Sequence, residues 1–75
     1  MLERFKELIC NYVEVEPENI TLDSRFIEDL NFTSYDFMSF LGDLEAELDI
    51  TVDEQEILNI RTVGEAIDYI EKLQK

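Results

Sequence analysis

Apolar residues at the start of the chain fall at Leu2, Phe5, Leu8, Ile9, Tyr12 and Val13, three or four positions apart, with Glu3, Lys6, Glu7 and Asn11 between them. That interval follows the turn of an α-helix and predicts an amphipathic helix from Leu2 to Val13. Regularity lapses in VEVEPENITLDS, where Pro17 cannot continue a helix and Asn, Thr, Asp and Ser offer side-chain partners to nearby backbone. A long ordered loop is expected there, pinned to the core by Ile20, Leu22, Phe26, Ile27 and Leu30.

Helical spacing returns at Phe37, Phe40, Leu41, Leu44 and Leu48. Thr33 precedes this stripe and Asp36 follows it by three, the spacing of a capping box, so Ser34 becomes the first residue of the second helix. The pattern loosens through Asp49 to Val52, and a short helix is expected across Asp53 to Leu58. Thr62 with Glu65 repeats the capping signature ahead of Val63, Ala66, Ile67, Ile70 and Leu73, the inward face of a last helix. With two glycines and one proline there is little turn chemistry for a sheet. The expectation is an all-α four-helix bundle: three longer helices, one short helix, and a long loop between helices one and two. Residues 1–75 are expected to form a single domain.

Charge changes what this bundle can meet. Nineteen acids against six bases leave a net charge of −13. Repulsion of that size suits a disordered chain, but Leu, Ile, Val and Phe fill 26 of 75 positions, enough for a core. The acids therefore coat a folded body. Such a coat repels nucleic acid and anionic membrane surfaces, which leaves basic protein surfaces as the expected partners. Cys10 is the only cysteine. No internal disulfide or thiolate metal cluster is possible, and with no apolar leader at the amino end a cytoplasmic protein is expected.

Ser34 is the candidate site. The chain has no histidine to activate it as a nucleophile, so no catalytic residue is expected. At the first position of a helix it lies beside unpaired backbone N–H groups and the positive end of the helix dipole, where a phosphate ester would be well placed. Tyr35, Met38 and Gly42 fall on a second, outward face of the same helix.

The run ITLDSRFIEDLNFTSYDF, followed by LEAELDI and TVGEAIDYI, resembles the acyl carrier protein family across nearly the whole chain. That family commonly reads close to F-x-E-D-L-G-A-D-S-L-D, and Phe26, Glu28, Asp29, Leu30, Ser34 and Asp36 match it position for position. The resemblance implies the same bundle and a monomeric carrier. Ser34 would bear a 4′-phosphopantetheine arm, transferred from coenzyme A by a phosphopantetheinyl transferase and carrying acyl groups as thioesters. It further implies that acyl-transferring and biosynthetic enzymes dock basic patches on the second helix. Asp36, Asp43, Glu45 and Glu47 would supply charge there, and Tyr35 and Met38 would be apolar anchors. Asn31-Phe32-Thr33-Ser34-Tyr35 stands where the family usually has Gly-Ala-Asp-Ser-Leu, so the acid before the serine is replaced by Thr33. Phe32, Phe37 and Phe40 add aromatic volume at the start of the helix, and a smaller or redirected acyl pocket is expected.

Two other readings compete with a carrier. Asp43, Glu45, Glu47, Asp49 and Glu54 are spaced somewhat like a calcium loop, but Leu48 occupies the position that needs glycine, and Leu44 and Leu48 belong to a helical stripe; no metal is expected. An acidic bundle with the carrier fold that never receives an arm, acting as a protein–protein interaction module, is the stronger rival. Among carriers, fatty-acyl or polyketide-type cargo is the first expectation, with aminoacyl and D-alanyl carriers as alternatives.

Overall fold

The computed structural model describes residues 2–74. Four helices follow in order: α1 (Leu2–Cys10), α2 (Ser34–Leu48), α3 (Glu54–Ile57) and α4 (Val63–Leu73), with a 3₁₀ turn at Pro17–Asn19 inside the long connection. Among the described residues there is no strand, only a single bridge pairing Arg25 with Thr62. The all-α bundle with one short helix and a long first loop is therefore as its periodicity implies.

Both capping boxes form. Thr33 Oγ1 accepts from Asp36 N at 3.0 Å, and Asp36 Oδ2 accepts from Thr33 N at 3.2 Å. At α4, Thr62 Oγ1 accepts from Glu65 N at 3.2 Å and Glu65 Oε1 accepts from Thr62 N at 3.1 Å. α2 ends where Asp49 adopts the left-handed conformation (φ 55°) and Ile50 N donates to Glu45 O at 3.2 Å, the closing bond of a Schellman turn.

α1 is shorter than its apolar spacing predicts. It stops at Cys10 rather than running to Val13, and Asn11 N and Tyr12 N donate to Leu8 O and Ile9 O in a tightened last turn. Tyr12 is engaged elsewhere: its ring lies 5.9 Å from that of Phe32 and 6.3 Å from that of Phe40, and its hydroxyl donates to Asp43 on α2. These tertiary contacts outweigh one more turn of helix.

The long connection is held by three backbone hydrogen bonds to the start of α4. Gly64 N donates to Leu22 O, Val63 N to Ser24 O, and Phe26 N to Arg61 O, all at 2.9–3.0 Å. Two of them satisfy amides that the first turn of α4 cannot satisfy itself. Buried Ser24 folds inward, its Oγ accepting from Thr21 N at 2.9 Å. Ile20, Phe26 and Leu30 are buried as expected, but Leu22 and Ile27 are each 51% exposed. Ile27 directly follows buried Phe26 and is turned outward, while Leu22 lies in the turn between buried Ile20 and Ser24, flanked by exposed Thr21 and Asp23.

The core joins Phe5, Leu8 and Ile9 of α1 to Phe40, Leu41 and Leu44 of α2 and Val63, Ala66, Ile67 and Ile70 of α4, with Ile57 supplied by α3. Its upper part is aromatic. Phe40 packs at 5.5–5.8 Å from Phe5, Phe26 and Phe32, and Phe26 meets Phe37 at 5.0 Å. Phe37 and Leu48 flank this core partly buried.

The two glycines have opposite roles. A Cβ on Gly64 would meet Leu22 O at 3.0 Å, the same carbonyl that its amide bonds, whereas one on Gly42 would meet nothing within 4 Å. Gly42→Ala is expected to stabilise the protein by about 0.5–1 kcal/mol through helix propensity alone. Gly64→Ala should destabilise it by about 1 kcal/mol, because the loop carbonyl must move away. Urea unfolding midpoints of the two variants should shift in opposite directions.

Candidate functional site

The site is assembled where the long connection enters α2. Asn31 takes a left-handed conformation (φ 60°), which a short polar side chain tolerates better than most, and turns the chain so that Phe32 enters the core. Phe32 N donates to Phe26 O at 2.9 Å and closes this turn. Thr33 then caps α2, and Ser34 emerges at its first position, exposed.

Among the described residues the Ser34 hydroxyl makes no hydrogen bond, and the amides of Ser34 and Tyr35 have no acceptor within the fold. Thr33 Oγ1 is already taken by Asp36 N, so these two N–H groups are the ones that α2 leaves open to an anion. A phosphate on Ser34 would fit there without displacing any existing bond.

Beside Ser34 lies an apolar depression of about 200 Å³, bounded by Ile27, Phe37, Met38, Ile57, Leu58 and Ile60. It adjoins a second of about 280 Å³, which shares Ile27, Phe37, Leu58 and Ile60 and reaches Arg25 and Arg61. Both open at the surface between α2, α3 and the segment around Ile27. Leu58 is 80% exposed, which leaves an apolar rim at the mouth.

The residues expected to meet partners do not form one surface. At about 100° per residue, Ser34, Met38 and Glu45 lie on the side of α2 facing α3, while Asp36, Asp43 and Glu47 lie on the side facing α1. Tyr35, 80% exposed, stands between the two sides close to Ser34, and Met38 is 46% exposed. Each of the four acids has a partner within the chain. Asp36 caps α2, Asp43 accepts from the Tyr12 hydroxyl, Glu45 accepts from Val52 N at 3.2 Å, and Glu47 pairs with Arg4 of α1. Only the last of these partners carries a charge, so Asp36, Asp43 and Glu45 keep an uncompensated negative field. Glu54 and Glu56 on α3 are also exposed.

Two pKa shifts mark how the frame of the site is held. The hydrogen bond to Asp43, with burial as a smaller cause, pushes the Tyr12 phenol up to about 12. Asp29 is held below the usual carboxylate range, first by the Arg25 side chain and then by the Arg25 amide. Arg25 is bound by Asp29 and Glu28 together, which ties down the segment that carries Phe26 and Ile27.

Ile27, Leu58, Ile60, Arg25 and Arg61 were not foreseen as part of the site. Two signals for the apolar ones exist in the sequence. Phe26 and Ile27 are consecutive in a loop and cannot both point inward. Ile57, Leu58 and Ile60 crowd the end of a one-turn helix and the residues just after it, where only one side faces inward.

An exposed serine at a capped helix start, two open amides and an adjoining apolar depression leave room for an anionic group at the head of α2. The family model described as "Phosphopantetheine attachment site" matches residues 3–70. Acyl carrier proteins from Clostridium perfringens strains are 33% identical over 70 residues, covering 93% of this chain and 92% of theirs. In structure, the chain is similar to the acyl carrier protein of Enterococcus faecalis (TM-score 0.82, 30% identity, 96% and 91% of the two chains). It is also similar to a Mycobacterium tuberculosis protein assigned as an acyl carrier protein (TM-score 0.86, 25% identity, 95% of each chain). The chain belongs to the acyl carrier protein family. Its cofactor is 4′-phosphopantetheine and its role is to carry acyl groups in biosynthesis.

The Tyr12–Asp43 bond can be read directly. Because the folded phenol titrates higher than the unfolded one, its contribution to stability is complete below the ordinary tyrosine range and is lost as pH rises through about 12. Spectrophotometric titration near the tyrosinate band should show one phenol ionising at about 12. Asp43→Asn should bring that phenol down toward the ordinary tyrosine range.

Proposed function

We propose that Ser34 is the residue esterified by the 4′-phosphopantetheine arm, and that the protein delivers acyl thioesters of fatty-acid or polyketide-type biosynthesis without catalysing a step itself. The observation that carries this is the free, exposed hydroxyl of Ser34 at the head of α2, flanked by two unpartnered amides. No histidine is present to make that hydroxyl a nucleophile. A phosphopantetheinyl transferase would bring the base: the serine oxygen attacks the β-phosphorus of coenzyme A, 3′,5′-ADP leaves, and the serine proton goes to the transferase. The residues of this chain then only position the phosphate, through the α2 amides, and keep the arm accessible. The terminal thiol of the arm forms the thioester with the acyl group.

Docking enzymes would meet Tyr35 and Met38 as apolar anchors within a negative field from Asp36, Asp43 and Glu45. Glu47 would contribute least, since Arg4 offsets its charge. Such exposed charge chiefly steers encounter with a basic patch and is screened by salt. Thr33, standing where the family pattern Gly-Ala-Asp-Ser-Leu has an acid, removes one negative charge next to the serine. A transferase that reads this chain would therefore do so without that contact.

Incubation of the purified protein with coenzyme A and a broad-specificity phosphopantetheinyl transferase should add the mass of one arm. Ser34→Ala should gain nothing under the same conditions, while its far-ultraviolet circular dichroism stays the same. Wild type left unmodified by several transferases would instead support an acidic interaction module on the carrier fold.

A further inference from the structure

Phe32 stands two residues before Ser34, and its side chain is 2% exposed. Its ring lies 5.5 Å from that of Phe26, 5.8 Å from that of Phe40 and 5.9 Å from that of Tyr12. Phe40 in turn lies 5.5 Å from Phe5 of α1 and 5.6 Å from Phe26. Rings at these separations touch, and they leave no gap as wide as an alkyl chain between them. The bundle behind the head of α2 is thus filled from four segments: α1, the turn after it, the long connection and α2 itself.

Phe32 is also held in place. Rotation of its ring meets Tyr12, which the hydroxyl bond to Asp43 ties to α2. Movement of the turn that carries it breaks the bond from Phe32 N to Phe26 O at 2.9 Å. Either motion bares Phe26 and Phe40, both fully buried, to water.

We propose that Phe32 is a specificity-determining residue: it bars the interior of the bundle to the acyl chain, so this carrier holds its cargo outside the fold and suits short acyl groups. The proposal rests on Ser34 bearing the arm, which tethers the acyl group beside this end of the bundle. An alkyl chain gains from burial in proportion to its length, so a carrier with an open interior is stabilised further by each added methylene. Here a chain enters only by displacing packed rings, which exchanges one buried apolar group for another and strains the core. A long chain therefore gains nothing from the interior, whereas a chain of two or so carbons has little to gain anywhere.

The test loads acetyl, hexanoyl and dodecanoyl groups onto Ser34 of wild type, Phe32→Leu and Phe32→Ala with a broad-specificity phosphopantetheinyl transferase, and intact mass confirms attachment. Thermal unfolding is then measured, and methyl NMR follows Ile9, Leu41 and Leu44 in the core with Ile27 and Ile60 as outer references. In wild type the midpoint is expected to stay within about 1 °C across the three lengths, and the core methyls to stay in place. Phe32→Ala should unfold at a lower temperature when acetylated and regain about 4–8 °C with dodecanoyl, with core methyls shifting. Phe32→Leu, which removes less volume, should fall between.

A wild-type midpoint that climbs with chain length while the core methyls shift would overturn the proposal. So would an absence of length dependence in Phe32→Ala or, should that variant not fold, in Phe32→Leu. If intact mass shows that Ser34 takes no arm, the attachment reading fails by itself. Octanoyl-pantetheine free in solution then decides on Phe32: core-methyl shifts in Phe32→Leu and none in wild type support the closure, and equal behaviour of the two proteins overturns it.

Discussion

Phe26 holds the architecture of the site in place with three commitments at once. Its amide donates to Arg61 O at 3.0 Å, its carbonyl accepts from Phe32 N at 2.9 Å, and its ring packs on Phe32, Phe37 and Phe40. The first bond joins the long connection to the start of α4, and the second closes the turn that delivers Thr33 to its capping position. The ring contacts set how α2 sits over both. Because Arg25 and Ile27 are its chain neighbours, the same residue that anchors the core also fixes the wall and one cation of the adjoining depressions beside Ser34. Function on the outside is thus positioned by a single buried aromatic and its backbone.

The negative charge is less uniform than a count of acids suggests. Some acids are structural: Asp36 and Glu65 close capping boxes, Glu45 bonds the chain after α2, and Asp29 with Glu28 restrains Arg25. Glu65 is held below the ordinary carboxylate range, chiefly by the amides of Arg61 and Thr62. The stability that Glu65 and Asp29 contribute is complete above the unfolded carboxylate range and is lost as pH falls through their lowered folded values. The acids proposed to steer partners are therefore partly the acids that hold the helices around Ser34. Replacing them to weaken docking also loosens the frame.

What could be read from the chain alone was what is decided within a few residues. The Thr33–Asp36 and Thr62–Glu65 boxes, the position of Ser34, and the stripes of α2 and α4 depend on local spacing, and all are present. The end of α1 was misjudged because Tyr12 keeps helical spacing while its hydroxyl is taken by Asp43, thirty-one positions away. Leu22 and Ile27 were placed in the core because an irregular segment has no period to separate inward from outward apolar residues. The closeness of Leu22 O to Gly64 likewise depends on a segment about forty residues away and has no local signal. The meeting of Ile27, Leu58 and Arg61 around one depression depends on how the long connection folds back over α3 and α4, and no local pattern encodes that.

The backbone link between residues 22–26 and 61–64 also bears on the order in which the molecule is completed. Closing it brings together segments separated by half the chain, an entropic step that nearby helical turns do not face. α1, α2 and α4 each have the local bonds to begin early, whereas the clasp forms only after they have come together. Because Phe26, Ser24 and Val63 are buried within it, opening this clasp would bare part of the aromatic core. The lead-in to α2 therefore keeps its shape for as long as the bundle stays packed, and an enzyme that reaches Ser34 meets a surface already in place.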